Sequence, residues 1–257
     1  MELVAPWLLG YGLAATMDAG HTDRRRPSGA VALVGAAVCA AATVLAASKM
    51  AAATIGLTFA VIIAVAIAVG RGRTRVVLIA GTAVATLLLC VLALAGPLRG
   101  RVADLATAHG GGLSLSARGF AWTAGFRLAD DYPWTGSGFG AVGDVLPAYL
   151  PRGESGSWGE LHNDYLEIYV SGGAIAAVLA AWLAAAYALR VWSVWRVVRA
   201  HAASGRLLTT LGLILGLVGL AAHEFVDFNL QVPANALLFV VTAAICVSPL
   251  ERSSEGP

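Results

Sequence analysis

The chain has 257 residues, 58% hydrophobic and 12% charged, with a formal net charge of +2 and a mean hydropathy of +0.77. A soluble globular domain carries about 25% charged residues, so this composition excludes one and indicates an integral membrane protein. The arginines sit in short loops between apolar runs and form no single basic face, which excludes nucleic-acid binding.

The N-terminal stretch "MELVAPWLLGYGLAATM" lacks a basic leader and a small-residue cleavage site, so it reads as a membrane span and not as a signal peptide. A crossing helix needs about 20 apolar residues. Candidate runs are Leu3–Met17, Gly29–Ala47, Ala51–Gly70, Val76–Leu98, Tyr165–Leu189, Leu207–Ala222 and Ala234–Leu250. These predict an all-α integral membrane protein of about six to seven transmembrane helices. One long extracytoplasmic loop containing short helices interrupts them. The expected organisation is transmembrane helices over 1–97, the loop over 98–163, further transmembrane helices over 164–250, and a tail at 251–257. The cysteines Cys39, Cys90 and Cys246 fall inside apolar runs without metal-ligand spacing and read as small buried hydrophobes.

Arginine placement sets the expected topology. Arg24–Arg26, the Arg71, Arg73, Arg75 group and the Arg190, Arg196, Arg199, Arg206 group flank the spans, and the positive-inside rule puts all three in the cytoplasm. One alternation satisfies all of them. It turns the Ser48–Met50 bend, the long loop, "LHND" and "HEFVDFNLQVP" (His223–Pro233) toward the outside.

The unusual polar residues therefore meet on one face. Lys49, in the bend, either snorkels to headgroups or offers an ammonium to an anion. In the loop, Ser116 reads as a helix cap, followed by a stripe of Phe120, Ala124 and Leu128 and a second of Arg118, Trp122 and Phe126. Arg118 and Trp122, four apart, share a helix face. They form a local cation–π pair, or Trp122 anchors the helix at the interface while Arg118 presents its donor fork to phosphate oxygens. "GSGFG" (Gly136–Gly140) is a flexible turn and not a dinucleotide fingerprint.

In "LHNDYLEI", Asp164 and Glu167 resemble a capping box opening the Tyr165–Leu189 helix, with Asn163 and Asp164 satisfying free backbone N–H groups. Capping does not explain His162. Imidazole titrates near neutral pH, and at the positive end of a long helix dipole it has the character of a general base beside an anion site. His223 and Asp227, four apart at the outer end of another span, line the same cavity. They are not read as a metal site, because no H-E-x-x-H pattern occurs. Gly212, Gly216 and Gly219 read as close helix packing.

"LHNDYLEIYVSGG" resembles the motif of the O-antigen ligase/polymerase family of bacterial membrane glycosyltransferases. "RGFAWTAGFRLADDYPWTGSGFG", the "SKM" bend and "HEFVDFNLQVPANALLF" resemble further family segments, in the family's order. Lys49 stands where the family usually has arginine, and "VSGG" lacks an acid common there. The family also has more spans than this chain offers, so the chain is expected to lack an N-terminal half.

The resemblance implies glycan transfer from undecaprenyl pyrophosphate to an acceptor hydroxyl, on lipid A–core or a growing glycan. It implies no cofactor and no metal. The site would lie on the outer face of the bacterial cytoplasmic membrane. It implies His162 as catalytic base, Arg118 and Lys49 on the pyrophosphate, and Asn163, Asp164, Trp122, His223 and Asp227 in support. The competing reading is a non-catalytic membrane protein, either exporter-like or an inactive fragment. An exporter would carry ionisable groups deep in its spans, and these spans have almost none.

Overall fold

The computed structural model describes residues 1–17, 29–46, 48–70, 72, 75–82, 115–150, 159–201 and 203–248. All regular structure among them is helical: α1 (Val4–Met17), α2 (Gly29–Leu45), α3 (Lys49–Val69), α4 (Leu115–Asp131), α5 (Val142–Val145), α6 (Asp164–His201), α7 (Ser204–His223) and α8 (Pro233–Val247). Short 3-10 turns cover Leu146–Tyr149 and Asn229–Gln231. Of the run expected at Val76–Leu98, the stretch 75–82 is helical and 83–98 lies outside the described residues. Arg24–Arg26, Arg71, Arg73, Cys90, the loop segments 98–114 and 151–158, and the tail 251–257 lie outside them too.

Among the described residues, three helices are long and apolar enough to cross a membrane: Lys49–Val69, Asp164–Ala200 and Gly205–His223. Val4–Met17, Gly29–Leu45 and Pro233–Val247 are apolar but shorter. Exposed Ile175, Val178, Leu179, Trp182 and Leu183 on α6, and Val31, Val34 and Val38 on α2, give the bundle an apolar exterior. Such a surface fits hydrocarbon and not water.

α1 packs antiparallel against both α7 and α2, and its fit to α7 leaves no room for side chains. A Cβ at Gly10 would stand 2.3 Å from the Leu208 carbonyl oxygen, one at Gly212 2.4 Å from that of Pro6, and one at Gly216 2.8 Å from that of Leu3. Small residues at such crossings let backbones touch and gain dispersion energy that hydrocarbon cannot otherwise supply. The expected packing role of Gly212 and Gly216 is thus observed, and Gly10 completes the stripe. Gly219 makes only ordinary contact with Thr54 and Thr58 of α3. This fit sets the register that brings Glu2, just ahead of α1, to the end of α7.

α6 differs from expectation. It was expected over Tyr165–Leu189 and runs Asp164–His201, 38 residues, about 57 Å at 1.5 Å per residue, too long for one crossing. It is broken at Gly173 (φ 65°, ψ −166°), a backbone state only glycine adopts without strain. A continuous helix would join Val170 O to Ala174 N and Ser171 O to Ile175 N. Instead Ser137 N donates to Val170 O (2.9 Å) and Gly138 N to Ser171 O (2.9 Å), while Ala174 N donates to Pro133 O (2.8 Å) and Ile175 N to Trp134 O (3.3 Å). The "YPWTGSG" turn is therefore built into the break and is not a free flexible turn. A Cβ at Gly136 would lie 2.3 Å from the Ser171 carbonyl carbon, so the fit requires glycine on both sides.

The break separates two cores. Before it, Leu166 and Val170 join Ala121, Ala124, Leu128, Ala129, Val142, Leu146 and Leu161 in one buried cluster. After it, α6 packs with α7 and α8 through Val191, Leu213 and Leu217 among others. In α4 the buried stripe is Ala121, Ala124 and Leu128; Phe120, expected on it, is exposed. Because α4 already includes Leu115, Ser116 lies within its first turn and not ahead of it.

Replacing Gly212 by valine is expected to destabilise the bundle by about 1–3 kcal/mol, the usual cost of overpacking. Gly56→Ala, where nothing lies within 4 Å of the new Cβ, is expected to be neutral. Thermal unfolding of the detergent-solubilised variants checks both.

Candidate functional site

The peptide carrying His162 is fixed from both sides. Leu161 N donates to Glu167 Oε2 (2.9 Å), and Leu161 O accepts from Trp122 Nε1 (2.8 Å). Leu166 N donates to Asn163 Oδ1 (3.0 Å), so Asn163 is the N-cap of α6. The capping box expected at Asp164 and Glu167 is thereby corrected. Glu167 reaches back to Leu161, and Asp164 points across the site to accept from Leu230 N (3.1 Å) and Gln231 Nε2 (2.9 Å).

Clamped this way, His162 takes φ 51°, the positive-φ non-glycine residue among those described. A side chain in this region costs on the order of 1–2 kcal/mol, and such outliers persist where the surroundings over-determine them. The turn aims the imidazole at the segment after α7. Its Nδ1 lies 3.8 Å from Asp227 Oδ1, and Phe228 packs against the ring edge-on, with centroids 4.7 Å apart.

Asp227 is shared. Its Oδ2 lies 3.4 Å from His223 Nε2, and His223 Nδ1 lies 2.7 Å from Glu2 Oε2. Glu2 Oε1 in turn accepts from Thr54 Oγ1 of α3. Imidazole and carboxylate thus alternate over Glu2, His223, Asp227 and His162. Burial works against an ionised Asp227, but the two imidazoles outweigh it and hold its carboxyl well below the usual carboxylate range.

A second acidic pair ties the α7–α8 connection to α6. Asp164 N donates to Glu224 O (3.0 Å), and Asn229 N to Glu224 Oε2 (2.8 Å). Glu224 is 0% exposed. Burial first, and then the neighbouring Asp164 carboxyl, push its carboxyl up to about 8, and its Oε1 is buried with no hydrogen-bond partner among the described residues.

Of the residues singled out in the sequence, Arg118, Trp122, His162, Asn163, Asp164, His223 and Asp227 converge on one end of the bundle. Trp122 donates to the Leu161 carbonyl and packs against the buried cluster. Arg118 lies one turn from Trp122 on the same face, and its Nε is buried with no hydrogen-bond partner among the described residues. Lys49 occupies the first turn of α3 at the same end and is exposed. It lies five residues before Thr54, about 7.5 Å along the axis and on a different face. The sequence reading missed Glu2 and Glu224. The visible signal was an acid at the rim of each apolar run, and only packing showed that both are enclosed.

The Glu224 proton has a stability consequence. Its folded-state pKa is raised, so its contribution is complete below the ordinary carboxyl range and is lost as pH rises through about 8. The unfolding temperature of the solubilised protein is expected to fall progressively from about pH 4.5 to about pH 8 and to level off above that, and Glu224→Gln, which does not ionise, is expected to flatten that fall.

No curated protein and no solved structure matches the chain. A family model described as O-antigen ligase matches residues 34–181. That span includes Lys49, Arg118, Trp122 and His162–Asp164 and covers more than half of the 257 residues. The chain therefore belongs to the O-antigen ligase family.

Proposed function

We propose that the protein transfers a glycan from undecaprenyl pyrophosphate to an acceptor hydroxyl, on lipid A–core or on a growing glycan, at the outer face of the bacterial cytoplasmic membrane. The observation that carries this reading is the clamped, left-handed His162 facing Asp227, on a turn tied to α4 through Trp122, with the partnerless buried Nε of Arg118 one turn away from Trp122.

The distribution of arginines supports that face. Arg75, Arg190, Arg196, Arg199 and Arg206 follow or end the inward-running helices or open α7, at the end of the bundle opposite His162. By the positive-inside rule this arrangement favours a cytoplasmic placement of that end.

In the reaction, the acceptor hydroxyl oxygen attacks the anomeric carbon of the donor. The bond from that carbon to the pyrophosphate oxygen breaks, and its electron pair leaves with the pyrophosphate. The hydroxyl proton passes to His162 Nε2, the nitrogen not facing Asp227. Asp227 favours the tautomer with the proton on Nδ1 and stabilises the imidazolium that forms. Arg118 and Lys49 hold the pyrophosphate and oppose the charge it gains as the sugar departs. The N-terminus of α6, directly after His162, adds favourable potential for an anion. The leaving group is already good, so positioning supplies much of the acceleration.

Purified protein in liposomes, supplied with an undecaprenyl-pyrophosphate oligosaccharide and an acceptor, should release the carrier lipid. His162→Ala is expected to lower that rate by about 10²–10⁴-fold, the usual worth of a general base, with membrane insertion unchanged. Retained transfer by this variant would remove the base role. Arg118→Ala is expected to weaken donor use, seen as a raised KM for the lipid-linked donor with a smaller change for the acceptor. Equal changes for both substrates would count against a pyrophosphate contact.

A further inference from the structure

His223 is buried at the end of α7, with a carboxylate oxygen facing each ring nitrogen: Glu2 Oε2 at 2.7 Å from Nδ1 and Asp227 Oδ2 at 3.4 Å from Nε2. An imidazole donates from both nitrogens only as the imidazolium. This geometry also gives a buried cation two anions, which its enclosure demands. We propose that His223 is a positioning residue, held as a cation between Glu2 and Asp227, that tempers the pull of Asp227 on the His162 imidazole. The proposal rests on the reading of His162 as the general base. It adds two groups, His223 and Glu2, that lie outside the matched family segment 34–181.

The physical argument concerns one shared carboxylate. Asp227 presents Oδ1 to His162 and Oδ2 to His223. If His162 were its sole partner, the full negative charge would favour a protonated His162 and delay return of the free base. A cation on the other oxygen offsets part of that charge. Asp227 then still orients His162 and fixes its tautomer, but holds the proton less tightly. Glu2, itself bonded by Thr54, keeps the His223 charge in place. The register of α1 on α7, set by Gly10, Gly212 and Gly216, brings Glu2 there.

The other charged or titratable groups on the elements that meet at this end are Arg118 on α4, Asp164, Tyr165 and Glu167 on the first turns of α6, Glu224 at the end of α7, and Lys49 at the start of α3. All six are unchanged in the variants below, so differences between profiles isolate Asp227 and His223.

The test is the pH–rate profile of carrier-lipid release by the protein in liposomes. Its acidic limb reports loss of the free base. His223→Gln removes the cation and is expected to move that limb up by about 0.5–1 pH unit, while Asp227→Asn removes the anion and is expected to move it down. His223→Lys restores a cation and should return the limb toward wild type. A purely structural role for His223 would lower the rate in both His223 variants and leave the limb where it was, which would overturn the proposal. If instead no variant moves the limb and His162→Ala still transfers, the base reading itself fails.

A second measurement covers variants that do not fold. In the wild-type protein labelled with ¹⁵N-histidine, both ring nitrogens of His223 should carry protons at pH 7. A neutral His223 there would refute the proposal.

Discussion

The candidate site depends on one carboxylate serving two imidazoles. Asp227 cannot face His162 and His223 together unless three pieces of chain, distant in sequence, are held at one end of the bundle. The clamped turn before α6 supplies His162, the end of α7 supplies His223, and the start of α1 supplies the Glu2 that completes the row. Buried charges without partners are costly. Alternation of acid and base along this row lets four ionisable groups share a small volume at the rim of an apolar bundle.

The bundle geometry follows from backbone contact and not from greasy side chains. Lipid tails are as apolar as leucine, so helices in a membrane gain little from burying leucine against leucine. At Gly10, Gly212 and Gly216 the helices meet main chain to main chain, and such contacts tolerate neither rotation nor sliding. A rigid α1–α7 pair therefore fixes where Glu2 and His223 meet. The second acidic pair, Asp164 and Glu224, fastens the α7–α8 connection to α6 through the Asp164 N–H to the Glu224 carbonyl and the Leu230 N–H to the Asp164 carboxylate. It thereby fixes the segment that carries Asp227.

The break in α6 links the external core to the bundle. A backbone interruption in an apolar helix is tolerated only where protein satisfies the freed groups. Here the Pro133–Gly138 turn meets all four, two carbonyls and two N–H groups. The acid common in the family near this position is absent, and Ser171 is buried with its carbonyl bonded to the turn. Below the break the exposed surface of α6 is apolar from Ile175 to Leu189, and the arginines begin at Arg190. Above it, Leu166 and Val170 belong to the cluster that holds Trp122 and, through Leu161, His162. The site accordingly rests on a compact cap seated on the membrane bundle.

The apolar runs, the arginine clusters and the His162–Asp164 motif were legible in the sequence because hydropathy, charge asymmetry and local motifs are properties of short segments. Composition alone fixed the membrane class, and spacing alone put Arg118 and Trp122 on one face. Tertiary structure decided what those local rules cannot reach. It left the expected capping role to Asn163 alone and turned Asp164 across to Leu230 and Gln231, because a side chain with two possible partners goes where packing brings the better donors. It made the Gly136–Gly140 turn part of a broken helix, and it paired Glu2 with His223 across 221 positions of sequence. Periodicity and propensity carry no information about partners that distant; the close fit of two glycine-faced helices does.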